Sequence, residues 1–286
     1  MEFRDLKNIK FISEQMKKIL LSFFCFSLVV TTYAQDSPYT TKAWEDAAYI
    51  TGAIGLNILG FTFIQNKEAL TEAEVAELDK NDIAGINRWA AGNYSEKADA
   101  ASYIPFYAAL GMPLAFLPSQ AERNNFGQIS VLFVETMATT GVFYTMSAGL
   151  VDKSRPLVYN KELPISERTE AGAQRSFIAG HTAVAAAGSF FAAKIFNDFH
   201  PNSKAVPYVW GGAAGFSVLM GYLRTKAGKH FLTDNIAGML VGAASGILIP
   251  ELHKKGNENI DVYPTANFNI NGTGINTKGL GFSYKF

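Results

Sequence analysis

The sequence predicts an all-α protein, a bundle of six helices followed by a short C-terminal β-hairpin, and three observations carry that expectation. Six apolar segments of helical length recur along the chain, at 47–64, 101–117, 126–151, 182–196, 205–223 and 236–249, with little period-two alternation before the last residues. Glycine and alanine recur inside them, as in Ala185-Ala186-Ala187-Gly188 and Gly242-Ala243-Ala244-Ser245-Gly246, which lets helix backbones approach closely. The composition, 48% hydrophobic and 13% aromatic over 286 residues, excludes a disordered chain and supplies a sizeable core.

Residues 1–15 are polar, Met16-Lys17-Lys18 introduces an apolar run over 19–30, and small residues, Thr32 and Ala34, stand three and one places before a cleavage point. That order predicts a signal peptide over 1–34, with translation starting at Met1 or Met16, because about a dozen apolar residues are too few to span a bilayer. The one cysteine, Cys25, falls inside it, so the mature chain is expected to hold no thiol chemistry. Charge is balanced, 25 basic against 25 acidic side chains, and stays nearly so once 1–34 is removed, which argues against a nucleic-acid partner. A mean hydropathy of +0.07 lies between a soluble enzyme and a chain mostly embedded in lipid.

The helical domain is expected over 35–260. Between its first two apolar segments, 70–89 is acidic, and Thr71-Glu72-Ala73-Glu74 is a capped start for a surface helix. Glu135, inside the third segment, is too costly to face lipid and is expected to turn inward onto a polar partner. His200 and His253 are expected in solvent. The tail, 261–286, changes to Asn, Thr, Gly and aromatics and alternates over 279–286, which reads as one or two strands, far too few to close a barrel.

Chemistry concentrates in three polar clusters at successive helix ends: Lys153 and Arg155-Pro156 after the third segment, Gly180-His181 before the fourth, and Arg224, His230 and Asp234 between the last two. If they converge, they hold what hydrolysis of a phosphate ester needs. Arginine's fork of donors matches phosphate oxygens bidentately and never deprotonates, so Arg155 and Arg224 would hold the anion. The amide of Gly180 can approach an oxygen unhindered. One histidine would attack phosphorus with a carboxylate fixing its tautomer, the roles of His230 and Asp234, and His181 would protonate the leaving group. Taken singly, these residues have plainer readings: Asp234 as a helix cap, His181 as a helix-start residue, Arg155 as a partner for Glu162, Glu167 or Glu170.

Lys153-Ser154-Arg155-Pro156, the run from Ser176 to Thr182, and Arg224-x5-His230-x3-Asp234 resemble, in order and placement, the three motifs of the type 2 phosphatidic acid phosphatase (PAP2) superfamily, written KX6RP, PSGH and SRX5HX3D. The resemblance implies a helical bundle with no cofactor and no metal in its active site, His230 as nucleophile, Asp234 as its partner, His181 as acid, and Arg155, Gly180 and Arg224 around the phosphate. The sequence departs from the pattern in three places. Ala148 stands where the family lysine belongs, with Lys153 the nearest substitute phosphate ligand, and Ile178 and Ala179 replace the proline and serine of PSGH.

The expected activity is therefore hydrolysis of a phosphomonoester or diphosphate, on a phosphorylated lipid at a membrane or on a small soluble ester in the manner of the secreted acid phosphatases. Ala148 and Ala179 keep open a non-catalytic lipid-binding or scaffold role. Vanadium haloperoxidases share the fold, but the missing lysine argues against them. By likeness to relatives the protein is expected in the envelope of a Gram-negative bacterium with its active site in the periplasm. Six crossings after a cleaved signal would instead leave all three clusters in the cytoplasm, so one segment fails to cross or the bundle is peripheral.

Overall fold

The computed structural model describes residues 37–256 and the backbone of two strands, Ile260–Phe268 and Thr277–Tyr284. The signal peptide expected over 1–34 lies outside the described residues. Ten α-helices are formed among them: α1 Ala43–Gln65, α2 Glu72–Glu77, α3 Gly85–Arg88, α4 Glu96–Leu110, α5 Gln120–Asn124, α6 Phe126–Leu150, α7 Ile165–Arg168, α8 Gly180–Phe199, α9 Val206–Lys226 and α10 Leu232–Leu252.

The long helices α1, α4, α6, α8, α9 and α10 hold the six apolar segments, with one local departure. The second segment leaves the α-helical path at Gly111 and continues as a 3-10 stretch, Met112–Phe116, where Pro113 cannot donate to an α-helical ladder. The surface helix expected over 70–89 is broken into pieces. It starts on the expected capping box, in which the Glu74 amide donates to Thr71 Oγ1 (3.2 Å) and the Thr71 amide to Glu74 Oε2 (2.8 Å). It stops at Leu78, and Asp79 then accepts the Asn81 amide at 2.9 Å, a local turn bond that competes with helix continuation.

Close approach of small residues sets the packing. Gly238, Gly242 and Gly246 form a stripe along α10 that meets Ala179, just before α8, and Ala183 and Ala187 within it; a Cβ on Gly242 would lie 2.1 Å from the Ala183 carbonyl oxygen, so any side chain there would push the helices apart. Helix α1 seats on α6 by the same device, with Gly60 against Thr145. Helices α4 and α9 close the other sides of α8. An aromatic and aliphatic core of Phe116, Ile129, Leu132, Phe133, Phe191 and Ile195 fills the end of the bundle beside Tyr39. β1 (Ile260–Phe268) pairs antiparallel with β2 (Thr277–Tyr284), Ile260 opposite Tyr284 and Val262 opposite Phe282.

Hydroxyls are buried between the helices, and large apolar side chains are exposed on their outer faces. Thr136, Thr140 and Ser217 are buried, and each hydroxyl is satisfied within its own helix by the carbonyl four residues earlier, at 2.8 Å. Leu56, Leu59 and Phe61 of α1, Val218 and Tyr222 of α9 and Leu240 and Leu248 of α10 point outward and are exposed. Three helices, Ala43–Gln65, Phe126–Leu150 and Leu232–Leu252, are long and apolar enough to cross a membrane. Apolar outer faces on helices of that length, with internal hydroxyls satisfied within their own helices, are what a bilayer selects, and the protein is membrane-associated.

Glu135 faces the interior, 1% exposed. His200 and His253 depart from expectation and are not left in solvent. Each follows directly on a long helix and folds back onto the bundle end distant from the three polar clusters: His200 Nε2 lies 2.8 Å from Glu122 Oε1, and His253 Nδ1 lies 2.8 Å from the Ile249 carbonyl.

Candidate active site

The three polar clusters meet at the end of the bundle where α6 and α9 finish and α4, α8 and α10 begin. Backbone hydrogen bonds sew their loops together. Residues 153–155 run beside 173–176 as a short parallel bridge, with Arg155 N donating to Ala173 O (2.8 Å) and Ser176 N to Lys153 O (3.1 Å). The Ala179 amide donates to the Asp234 carbonyl at 3.1 Å, joining the second cluster to the third, and Leu157 N donates to Gly228 O at 3.0 Å, joining the first to the third. The turn from Arg224 to His230 needs its glycine: Gly228 has φ +73°, and a Cβ there would lie 1.9 Å from the Asn93 carbonyl oxygen.

His230 is buried in this frame and its Nδ1 lies 2.6 Å from the Ser176 carbonyl oxygen. A carbonyl only accepts, so Nδ1 carries the hydrogen and Nε2 presents its lone pair. Burial, then the charges of Arg224 and Arg155, hold its pKa well below that of a free imidazole, which keeps that lone pair free of a proton at neutral pH.

Asp234 is placed differently from its expected contact with His230. Its Oδ2 accepts the Ser176 hydroxyl (2.6 Å) and the Phe231 amide (3.0 Å), and its Oδ1 accepts the Lys153 ammonium (2.5 Å). The physical reason is that His230 precedes α10, so a spacing of four residues does not bring the two side chains onto one helix face; Asp234 instead caps the first turn of α10. Ser176 stands between them, accepting from His230 through its carbonyl and donating to Asp234 through its hydroxyl. Asp234 thus ties all three clusters together and reaches His230 through Ser176.

Lys153 also departs from expectation. Its ammonium is held by Asp234 and lies 5.4 Å above the Phe231 ring, so it neutralises the buried carboxylate instead of facing an anion beside the arginines. Ala148 is fully buried in α6.

Arg224, 4% exposed, donates through Nη1 to Asp99 Oδ1 (2.5 Å) and Ser102 Oγ (3.0 Å) of α4. Arg155 forms no ion pair among the described residues. Burial and the neighbouring charge of Arg224 lower its pKa to about 10, which still leaves it a cation at neutral pH. His181 lies against aromatic rings of α4, with centroids 4.5 Å from Phe106 and 5.3 Å from Tyr103. Burial in that apolar wall, with Arg224 adding to it, pushes its pKa down to about 3. Gly180 needs its missing side chain, because a Cβ would sit 2.6 Å from the ring of Tyr144.

Arg155 Nε, Arg224 Nε and His181 Nε2 are all buried without a hydrogen-bond partner. Buried polar atoms are ordinarily satisfied, and two guanidiniums that repel one another beside two histidines are an arrangement that a bound anion would relieve. The chemistry of these groups suits a phosphoryl group: fixed cationic donors, an unprotonated imidazole and a second imidazole.

Sequence reasoning missed Asp99, which pairs with Arg224 and lies 3.5 Å from Lys229 Nζ, and the linking role of Ser176. A carboxylate just ahead of the second apolar segment was the only trace of Asp99 in the sequence. Its partner stands 125 residues away.

The profile of the PAP2 superfamily matches residues 130–258. No curated protein sequence matches the chain. Among solved structures, it is similar to the first transmembrane PAP2-type phosphatidylglycerolphosphate phosphatase, from Bacillus subtilis, at 17% identity over 82% of this chain and 94% of that one, with a TM-score of 0.34. The stretch similar to that superfamily contains Lys153, Arg155, Gly180, His181, Arg224, His230 and Asp234 and most of the helices that carry them.

Proposed function

We propose that the protein hydrolyses a phosphorylated lipid, a phosphomonoester or diphosphate, through a phosphohistidine intermediate on His230. The observation that carries this reading is the set of unpartnered buried donors, Arg155 Nε, Arg224 Nε and His181 Nε2, around a histidine whose Nε2 lone pair is free. His230 Nε2 attacks phosphorus, the bond from phosphorus to the ester oxygen breaks, and the leaving alkoxide takes a proton from His181. Water then attacks phosphorus and gives its proton to His181, the P–N bond breaks, and inorganic phosphate departs with His230 restored. Arg155 and Arg224 offset the charge that builds on the equatorial oxygens in both steps.

A lipid is favoured over a soluble ester by what surrounds the pocket. Beside Thr182 and Asn235 an apolar groove of about 260 Å³ opens between α9 and α10, lined by Val218, Tyr222, Leu232, Ile236 and Met239, and it suits an acyl or prenyl chain. A wider groove of about 770 Å³ lies between α1 and α6, away from the histidines. The envelope of a Gram-negative bacterium, with this end of the bundle facing the periplasm, is the location we assign.

The test is inorganic phosphate release by the detergent-solubilised protein from a panel of lipid phosphates and a water-soluble monoester. Lipid turnover inhibited by vanadate, whose trigonal-bipyramidal form mimics the transition state, is the expected result. Preference for the soluble ester would move the protein to the broad-specificity acid phosphatases, and release equal to that of an inactive variant would leave lipid binding alone.

Proton accounting gives a second expectation. His181 is neutral in the free site above about pH 3, so the proton for the leaving group enters with the monoanionic substrate or from solvent on binding. A phosphomonoester loses its second proton near pH 6, and kcat/KM is therefore expected to be flat below about pH 6 and to fall about tenfold per pH unit above it. A profile for a short-chain phosphatidic acid that instead rises between pH 6 and 8 would remove His181 from the acid role.

A further inference from the structure

At the end of the bundle away from the phosphate pocket, three side chains from three helices or their ends converge: Asp46 in the first turn of α1, Glu135 in the middle of α6, and His253 just after α10. Helix α10 separates this group from His230 by 21 residues, about 30 Å at the usual rise. Nothing in the phosphatase reading uses it.

Two observations distinguish the group from an ordinary ion-pair cluster. Glu135 is 1% exposed, and neither of its carboxylate oxygens accepts a hydrogen bond. A buried carboxylate with no donor is costly, and its surroundings must supply a compensating charge. The second is the orientation of His253. Its Nδ1 lies 2.8 Å from the Ile249 carbonyl oxygen, which can only accept, so in the neutral ring the hydrogen is on Nδ1 and the Nε2 lone pair is aimed at the carboxylates.

Distances then discriminate between bonding modes. His253 Nε2 is 3.3 Å from Glu135 Oε2 and 3.5 Å from Asp46 Oδ1, both beyond the 2.7–2.9 Å usual for a charge-assisted hydrogen bond. One ligand atom from each of the three residues lies within 4.8 Å of the other two. Ligands each about 2.0–2.2 Å from a tetrahedral ion are separated by roughly 3.3–3.6 Å, which matches the two measured edges. Asp46 is held for this by the Lys42 amide, which donates to its Oδ2 at 2.8 Å and leaves Oδ1 toward His253. The nearby ammoniums are engaged elsewhere: Lys42 Nζ with Glu45 and Lys254 Nζ with Asp198. A polar cleft of about 400 Å³, lined by Thr40, Asp46 and His253, opens beside the group and gives an ion an entry path and a water as fourth ligand.

We propose that Asp46, Glu135 and His253 form a binding site for one divalent first-row transition-metal cation, with Zn²⁺ as the representative ion. One imidazole nitrogen and two carboxylate oxygens suit such a borderline cation better than Ca²⁺, which takes six to eight oxygens. The ion would pin α1, α6 and the end of α10 together where the chain enters the bundle, a place already joined by the Thr40 amide on the His253 carbonyl (2.7 Å) and the Lys255 amide on the Pro38 carbonyl (2.8 Å).

The experiment uses the full chain in detergent, stripped with a chelator and titrated with Zn²⁺ or Co²⁺ alone. Saturable uptake of one equivalent, a rise in Tm on reloading, and ligand-field bands of tetrahedral Co²⁺ are expected for the wild type. Glu135→Gln and His253→Gln are expected to weaken uptake at least about 10²-fold, while His230→Ala retains it. Absence of saturable uptake in a wild type whose Tm ignores both chelator and metal overturns the site. Uptake unchanged in Glu135→Gln, with that variant folded by Tm, overturns the ligand set.

Discussion

Replacing His230 with alanine is expected to lower the rate of phosphate release by at least about 10³-fold, because on the proposed mechanism the variant lacks the attacking atom. The measurement that separates this role from a binding role is trapping. Brief exposure of the wild type to a labelled substrate, followed by denaturation, should leave label on the protein that survives alkali and is lost in acid, as a P–N bond requires. His230→Ala should carry none. The side chain makes a single hydrogen bond, Nδ1 to the Ser176 carbonyl, so truncation should cost stability on the order of 1–3 kcal/mol and leave the bundle folded. A wild type that turns over substrate without ever holding the label, or a variant that still does, would make His230 something other than the nucleophile.

Arg155→Ala should come next in size, with a fall in kcat/KM of about 10²–10³-fold, the usual loss for one preorganised donor to a developing charge. The two arginines are not equivalent. Arg224 is held by Asp99 and Ser102 and serves partly as structure, whereas Arg155 forms no ion pair among the described residues and its Nε has no partner. Removing it relieves repulsion from Arg224 and Arg175, so Tm should hold or rise while activity falls. Arg155→Lys should recover little, since a point charge does not replace a planar fork of donors. A loss of activity below threefold, or one accompanied by an equal loss of stability, would reassign Arg155 to the fold.

These two expectations rest on different kinds of knowledge. His230, His181, Arg155 and Arg224 stand out in the sequence as candidates for phosphate chemistry, because each residue type has fixed donors, charge and pKa range, and their order between helices is a property of the chain alone. Asp234 shows where that legibility stopped. A histidine and an aspartate four apart suggest a direct pair, and only the position of the α10 start, two residues after His230, turns the carboxylate onto Ser176, Phe231 and Lys153 instead. Lys153 differs for the same reason: its ion-pair partner is a buried carboxylate 81 residues away.

The sequence by itself determined the helical segments, through the length of its apolar runs, and the three polar clusters, through the spacing of a few side chains with distinctive chemistry. Both are local properties, fixed within a turn or a helix by backbone geometry and by the cost of exposing or burying a group. Tertiary structure decided who partners whom: Asp99 with Arg224, Ser176 between His230 and Asp234, and Glu135 with Asp46 and His253. Contacts of that kind join residues tens to hundreds of positions apart. They depend on helix crossings set by glycine stripes and on where each helix begins, and a difference of a single turn redirects a carboxylate from one partner to another.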